Sequence, residues 1–76
     1  MNHEVYQAIV KAVINGSLQE PFNKKAFRKA CPNFGSGTYN AFLWKHAKGN
    51  PGGTSELFEK VDRGLFRLIR PFKYGL

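Results

Sequence analysis

At Glu56 the helical, three-and-four spacing of apolar side chains stops and a strand-turn-strand pattern begins. The segments Leu57-Phe58-Glu59-Lys60-Val61 and Leu65-Phe66-Arg67-Leu68-Ile69-Arg70 flank Asp62-Arg63-Gly64, a three-residue connection. Its last residue suits the left-handed position that follows a type I turn, where glycine carries no steric penalty. A two-stranded hairpin is marginal by itself in water, so it must dock on whatever precedes it. What precedes it is helical, and the expected class is α+β.

Three helices are predicted upstream. Residues 3–15 place Val5, Tyr6, Ile9, Val10, Ala12, Val13 and Ile14 at helical spacing, with a stop at Asn15-Gly16. Residues 17–22 read as a connector, extended near Glu20-Pro21-Phe22 because the residue before a proline is pushed toward extended geometry. Asn23 suits the N-cap of a short helix over 24–31. Ala26, Phe27, Ala30 and Cys31 line one face of that helix, and Lys24, Lys25, Arg28 and Lys29 the other. Pro32 ends it, and Pro32-Asn33-Phe34-Gly35-Ser36-Gly37 is a turn anchored by Phe34.

A third helix is predicted over about 37–48, with Ser36 as N-cap and Gly49 as stop. Tyr39, Phe42, Leu43, His46 and Ala47 face inward, leaving Thr38, Asn40, Ala41, Trp44, Lys45 and Lys48 outside. Residues 71–76 form an aromatic, basic tail that either folds back on the core or frays. The whole of 1–76 is expected to be a single domain.

So small a domain buries only about 60% of the surface of its unfolded chain, so its core must be rich per residue. Seven Phe, three Tyr and one Trp supply that area. The single cysteine, Cys31, excludes an internal disulfide. With only His3 and His46 beside it, it cannot complete the four ligands of a structural zinc site. No apolar run approaches the roughly 20 residues of a membrane span, and the N-terminus lacks the pattern of a secretory signal. The expected location is cytoplasmic, on the nucleoid in a prokaryote or in the nucleus of a eukaryote.

Charge is unevenly distributed. Between Pro21 and Ser55 stand six basic residues (Lys24, Lys25, Arg28, Lys29, Lys45 and Lys48) and no Asp or Glu, in a chain of net charge +7. One-sided basic charge is the electrostatic footprint of a polyanionic partner. An ordinary solvated helix face is the plainer reading of the four cations on 24–31, but such faces mix both signs. Enzymatic chemistry finds little support. Paired carboxylates and a Ser-His-acid set are missing, and Gly49-Asn50-Pro51-Gly52-Gly53 lacks the Gly-Lys-Ser/Thr ending of a phosphate loop. We expect no catalysis and no cofactor.

The order helix, short helix, tight turn, longer helix, hairpin resembles the winged helix-turn-helix domains. Residues 23–31 match the first helix of the motif, 32–37 the turn, 38–48 the recognition helix and 57–69 the wing. Gly64-Leu65-Phe66-Arg67-Leu68 is similar to the aromatic-x-Leu ending of wing strands. The resemblance implies a three-helix bundle with a C-terminal β-hairpin wing, and sequence-preferring binding of double-stranded DNA in transcriptional or other DNA-linked regulation. The N-terminal half of the third helix would enter the major groove and the wing would lie along backbone or minor groove.

Residue chemistry agrees. Ser36 and Thr38 lie at a helix N-terminus, where free backbone N–H groups donate to a phosphate. Asn40 can bond adenine N6 and N7. Lys24, Lys25, Arg28 and Lys29 would straddle a phosphate strand, Lys45 and Lys48 flank the groove, and Arg63 stands at the wing tip. Trp44 is expected beneath the wing or tail, His46 in the core, and Cys31 as a small buried apolar group. A rival reading is a protein-interaction module using Trp44 and Phe72-Lys73-Tyr74. RNA binding ranks lower, because no sheet presents aromatics for stacking unpaired bases. Oligomeric state is open.

Overall fold

The computed structural model describes residues 3–73. In chain order it has helices α1 (Glu4–Ile14), α2 (Lys24–Ala30) and α3 (Ser36–Lys45), then strands β1 (Phe58–Asp62) and β2 (Leu65–Leu68). The layout is α+β, three helices followed by an antiparallel C-terminal hairpin, as the change of periodicity at Glu56 predicts. None of these helices is long and apolar enough to cross a membrane.

The hairpin docks by its apolar face. Phe58 pairs with Leu68 across the strands, and both side chains are fully buried with Phe66, while the Glu59 and Arg67 pair points outward. Aromatic edges lock this face to the helices and the connector. Phe58 meets Phe22 at 6.2 Å and Phe42 at 5.8 Å, both T-shaped. The turn is tighter than the sequence suggests. Asp62 pairs with Leu65, so the connection is the two residues Arg63-Gly64, and Val61 is accommodated as a bulge. Gly64 takes φ +70°, the left-handed geometry expected of it.

Single-residue pairings widen the sheet on both sides. Phe22 and Phe66 exchange two backbone hydrogen bonds of 2.8 Å, an isolated antiparallel bridge that pins the end of the 17–22 connector beside β2. Leu18 in the same segment is buried, a core position the connector reading overlooks. On the other side the chain leaves α3 at His46 to meet β1. The His46 carbonyl accepts the Leu57 and Phe58 N–H groups, and the Lys48 N–H donates to the Phe58 carbonyl at 2.8 Å.

That pairing is why α3 ends at Lys45 and does not run to 48. Asn50 closes the loop, its amide donating to the Ala47 and Thr54 carbonyls and accepting from the Thr54 N–H. Two further boundaries differ. Gly35, not Ser36, is the N-cap of α3: Ser36 is already helical, and the Gly35 carbonyl accepts the Thr38 N–H at 3.0 Å. Ile14, expected on the apolar face, is 70% exposed, because the chain turns back at Gly16 (φ +85°) and Leu18 fills the end of the core.

The tail folds back as far as Lys73. Phe72 is half-buried against the core and the Lys73 N–H donates to the Tyr6 hydroxyl at 2.8 Å. Tyr74, included in the same expectation, lies outside the described residues.

Glu20 fastens the connector to the end of the hairpin. One carboxylate oxygen accepts the Leu68 N–H at 2.7 Å and the other pairs with Arg70 at 2.6 Å. Burial alone would raise its pKa. The Arg70 hydrogen bond, the Leu68 N–H and the charges of Arg70 and Arg67 outweigh burial and hold it below the ordinary 4.5. A carboxyl depressed by folding contributes stability that is present above its unfolded pKa and is lost as pH falls through the folded value. Thermal melts acidified from neutral to below pH 4.5 should show a steeper loss of Tm for the wild type than for Glu20→Gln. Acid limbs of equal slope would remove Glu20 from the account.

Candidate nucleic-acid interface

The short helix α2 is placed by its two ends and by one side chain. The Asn23 side chain caps it, accepting the Ala26 N–H at 2.8 Å, and Phe27 is its fully buried anchor. Cys31 closes it, 5% exposed, and burial pushes its thiol pKa up, leaving an inert apolar group. Lys24, Lys25, Arg28 and Lys29 are all exposed. Lys24 and Lys25 occupy the first turn, where the helix dipole favours carboxylates and disfavours cations. A locally unfavourable choice of this kind is expected where a surface meets a ligand.

Residues four apart share a helix row, so Lys24 lines up with Arg28 and Lys25 with Lys29. The first row lies against α3. Lys24 Nζ donates to Asn40 Oδ1 at 3.1 Å, and the Arg28 guanidinium stands 5.7 Å from the centre of the Tyr39 ring. The second row is turned about 100° further round α2.

Tyr39 ties the two helices together. It is 3% exposed, packs edge-on against Phe27 at 5.1 Å, and its hydroxyl donates to the Cys31 carbonyl while accepting the Phe34 N–H at 3.1 Å. One side chain on α3 therefore ties down both the end of α2 and the turn that follows it. Phe34 is half-buried there, as its anchoring role requires.

With Tyr39 and Leu43 inward, α3 exposes Ser36, Gly37, Asn40, Ala41, Trp44 and Lys45 as one stripe. Asn40 sits mid-stripe and is exposed. Thr38 is only half-buried, and its backbone N–H, expected to be free for phosphate, is used by the Gly35 carbonyl. Lys45 stands at the last turn, beside an open recess shared with His46 and Thr54. Lys48 leaves the stripe because the helix has ended. It lies at the base of the hairpin in a shallow recess with Arg67, Arg70 and Lys73. Arg63 is exposed at the turn of the hairpin, its N–H on Asp62 Oδ1 at 2.7 Å.

Trp44 is the candidate that sequence reasoning sets aside. The hairpin covers it only in part: it meets Phe66 of β2 edge-on at 5.1 Å, as expected of a residue beneath the wing, yet stays 42% exposed with the rest of the indole open. Its signal was its spacing, one helical turn beyond Asn40. His46, expected in the core, is half-buried at the end of α3, where Nδ1 lies 2.9 Å from the Ser55 carbonyl and the ring meets Phe42 at 4.6 Å in a tilted arrangement.

The acids are engaged elsewhere. Glu20 holds Arg70, Glu59 holds Arg67, Glu56 accepts the Gly49 N–H and Asp62 the Arg63 N–H. Among the described residues no carboxylate pairs with Lys24, Lys25, Arg28 or Lys29. No group of three His, Cys, Asp or Glu among them could hold a metal ion.

Replacing Tyr39 by Phe keeps the ring and strands two backbone groups, which should lower stability by about 1–3 kcal/mol. Amide exchange should quicken at Phe34 and around the α2–α3 turn before it does in β2; uniform quickening would mean that Tyr39 serves only as core volume.

No family model, no curated protein and no solved structure matches the chain, so the surface is characterised by its own geometry.

Proposed function

We propose that this protein binds duplex DNA with the outward stripe of α3 in the major groove and the cations of α2 on the adjoining backbone, with the hairpin as a wing. The observation that carries the reading is the partition of charge. Lys24 and Arg28 stand beside the Asn40 stripe with no carboxylate paired to them, while four of the five acids are engaged around the hairpin. Uncompensated cations flanking a polar helix edge suit a partner whose charges lie on two ridges with readable groups between them. Asn40 is the base-reading candidate, Ala41 and Trp44 offer apolar contact to a thymine methyl or a sugar, and Lys25, Arg28 and Lys29 supply phosphate contacts. A role in transcriptional or other DNA-linked regulation follows from such binding.

The half-exposed Trp44 favours a second reading, a protein-interaction module with this indole as its anchor. The two readings differ in their salt dependence.

Neutralising about five phosphates gives a slope of about −4 to −5 for log affinity against log salt. Fluorescence anisotropy of a labelled duplex across a salt series measures it, and a flat line would sink the DNA reading in favour of the protein partner. Lys25→Ala and Arg28→Ala should weaken every duplex alike and each reduce the slope by about 1. Asn40→Ala should instead cost about 1–3 kcal/mol at one base pair of a site selected from a random pool, leaving the other positions unchanged. The lone tryptophan reports directly on the stripe: duplex should alter Trp44 emission, and emission unchanged at saturation would place the contact elsewhere.

A further inference from the structure

We infer that Lys24 is a positioning residue for base recognition: it holds the Asn40 amide in one orientation, so that a single ordering of donor and acceptor faces the groove. This rests on the duplex reading above, and goes beyond it by separating Lys24 from the cations that only neutralise phosphate.

The geometry is one contact between two helices. Lys24 Nζ lies 3.1 Å from Asn40 Oδ1, sixteen residues apart in sequence and both on the surface. An ammonium group has three donors and no acceptor, so only the oxygen of the amide can face it. The opposite orientation would bring N–H groups against N–H groups. Nδ2 is thereby turned away from α2, and Oδ1 keeps one lone pair. Those two groups are what the adenine edge requires, a donor for N7 and an acceptor for the N6 amino group. A free surface asparagine presents both orientations and loses that freedom on binding, whereas a held one has lost it already.

The position of Lys24 supports a dedicated role. In the first turn of α2 a cation opposes the helix dipole, and Lys25 in the same turn has no such partner on α3. Two of the three ammonium donors also stay available, so Lys24 can reach a phosphate as Lys25 does. Its distinguishing signature is therefore discrimination between sequences, and not affinity alone.

The test compares Lys24→Met, Lys24→Arg, Lys25→Met, Asn40→Ala and the double variant Lys24→Met with Asn40→Ala. Each is titrated against the wild-type selected duplex and against its single-base-pair variants. Lys24→Met should narrow discrimination by about 3- to 10-fold, the size of one net hydrogen bond, at the base pair that Asn40→Ala relaxes. The double variant should discriminate no worse than Asn40→Ala alone, since the amide that Lys24 orients is gone. Lys24→Arg keeps the donor and should restore most of the ratio, while Lys25→Met should lower affinity evenly with every ratio intact.

A Lys24→Met protein that binds all sequences more weakly by one common factor, as Lys25→Met does, would overturn the inference. So would additive losses in the double variant. A second readout needs no DNA. In the free protein the side-chain amide resonances of Asn40 should shift in Lys24→Met and stay put in Lys25→Met, and identical positions in all three proteins would show that the contact is not made. If that shift is seen and the wild type nonetheless binds duplexes without sequence preference, the base-reading proposal falls and takes this role of Lys24 with it.

Discussion

The hairpin cannot stand alone, and everything else in the molecule is arranged around docking it. Two strands of four or five residues have too little apolar surface to hold together in water. Phe58, Phe66 and Leu68 are therefore driven inward against α3 and the connector, and main-chain pairing completes what the side chains begin. Phe22 bridges to β2, and the residues after α3 cover the start of β1. Both pairings place irregular segments under hydrogen-bond constraint, so the loops around α3 become part of the frame that aims it.

The same frame separates the charges. Carboxylates at Glu20, Glu56, Glu59 and Asp62 each find a guanidinium or a backbone N–H in or beside the hairpin. Exposed ion pairs contribute little stability, and the Glu59–Arg67 pair is of that kind. Their larger effect is on the field: the negative charge is held near the hairpin, leaving the cations of α2 without neutralising partners. A chain with balanced charge on each element would have no such asymmetry, and its α3 stripe would be one polar helix edge among several.

Much of this was legible from residues alone. Asn23 caps α2 because an asparagine followed by Lys-Lys-Ala-Phe can turn its side chain onto the Ala26 N–H, a local interaction that needs no tertiary help. Gly64 adopts positive φ because a tight hairpin turn demands it and glycine alone meets that demand freely. The surface of the acid-free middle was legible too, since four cations on one side of a seven-residue helix have nowhere else to go. What escaped were positions decided by long-range pairing. Leu18 and Phe22 sit in an aperiodic connector and are buried only because β2 arrives beside them. The end of α3 at Lys45 depends on β1 capturing the His46 carbonyl from ten or more residues away.

Sequence by itself determined the class of elements, their order and the concentration of positive charge, because helix periodicity, capping and turn chemistry act over three or four neighbours. Tertiary structure decided which of the exposed groups meet. That Lys24 reaches Asn40, that Trp44 rests on Phe66 with the rest of its indole open, and that Lys48 falls away toward the hairpin follow from how Tyr39 and the docked strands hold α2 and α3. Arrangements of this kind come from the packing of side chains distant in the chain, and no local pattern encodes them.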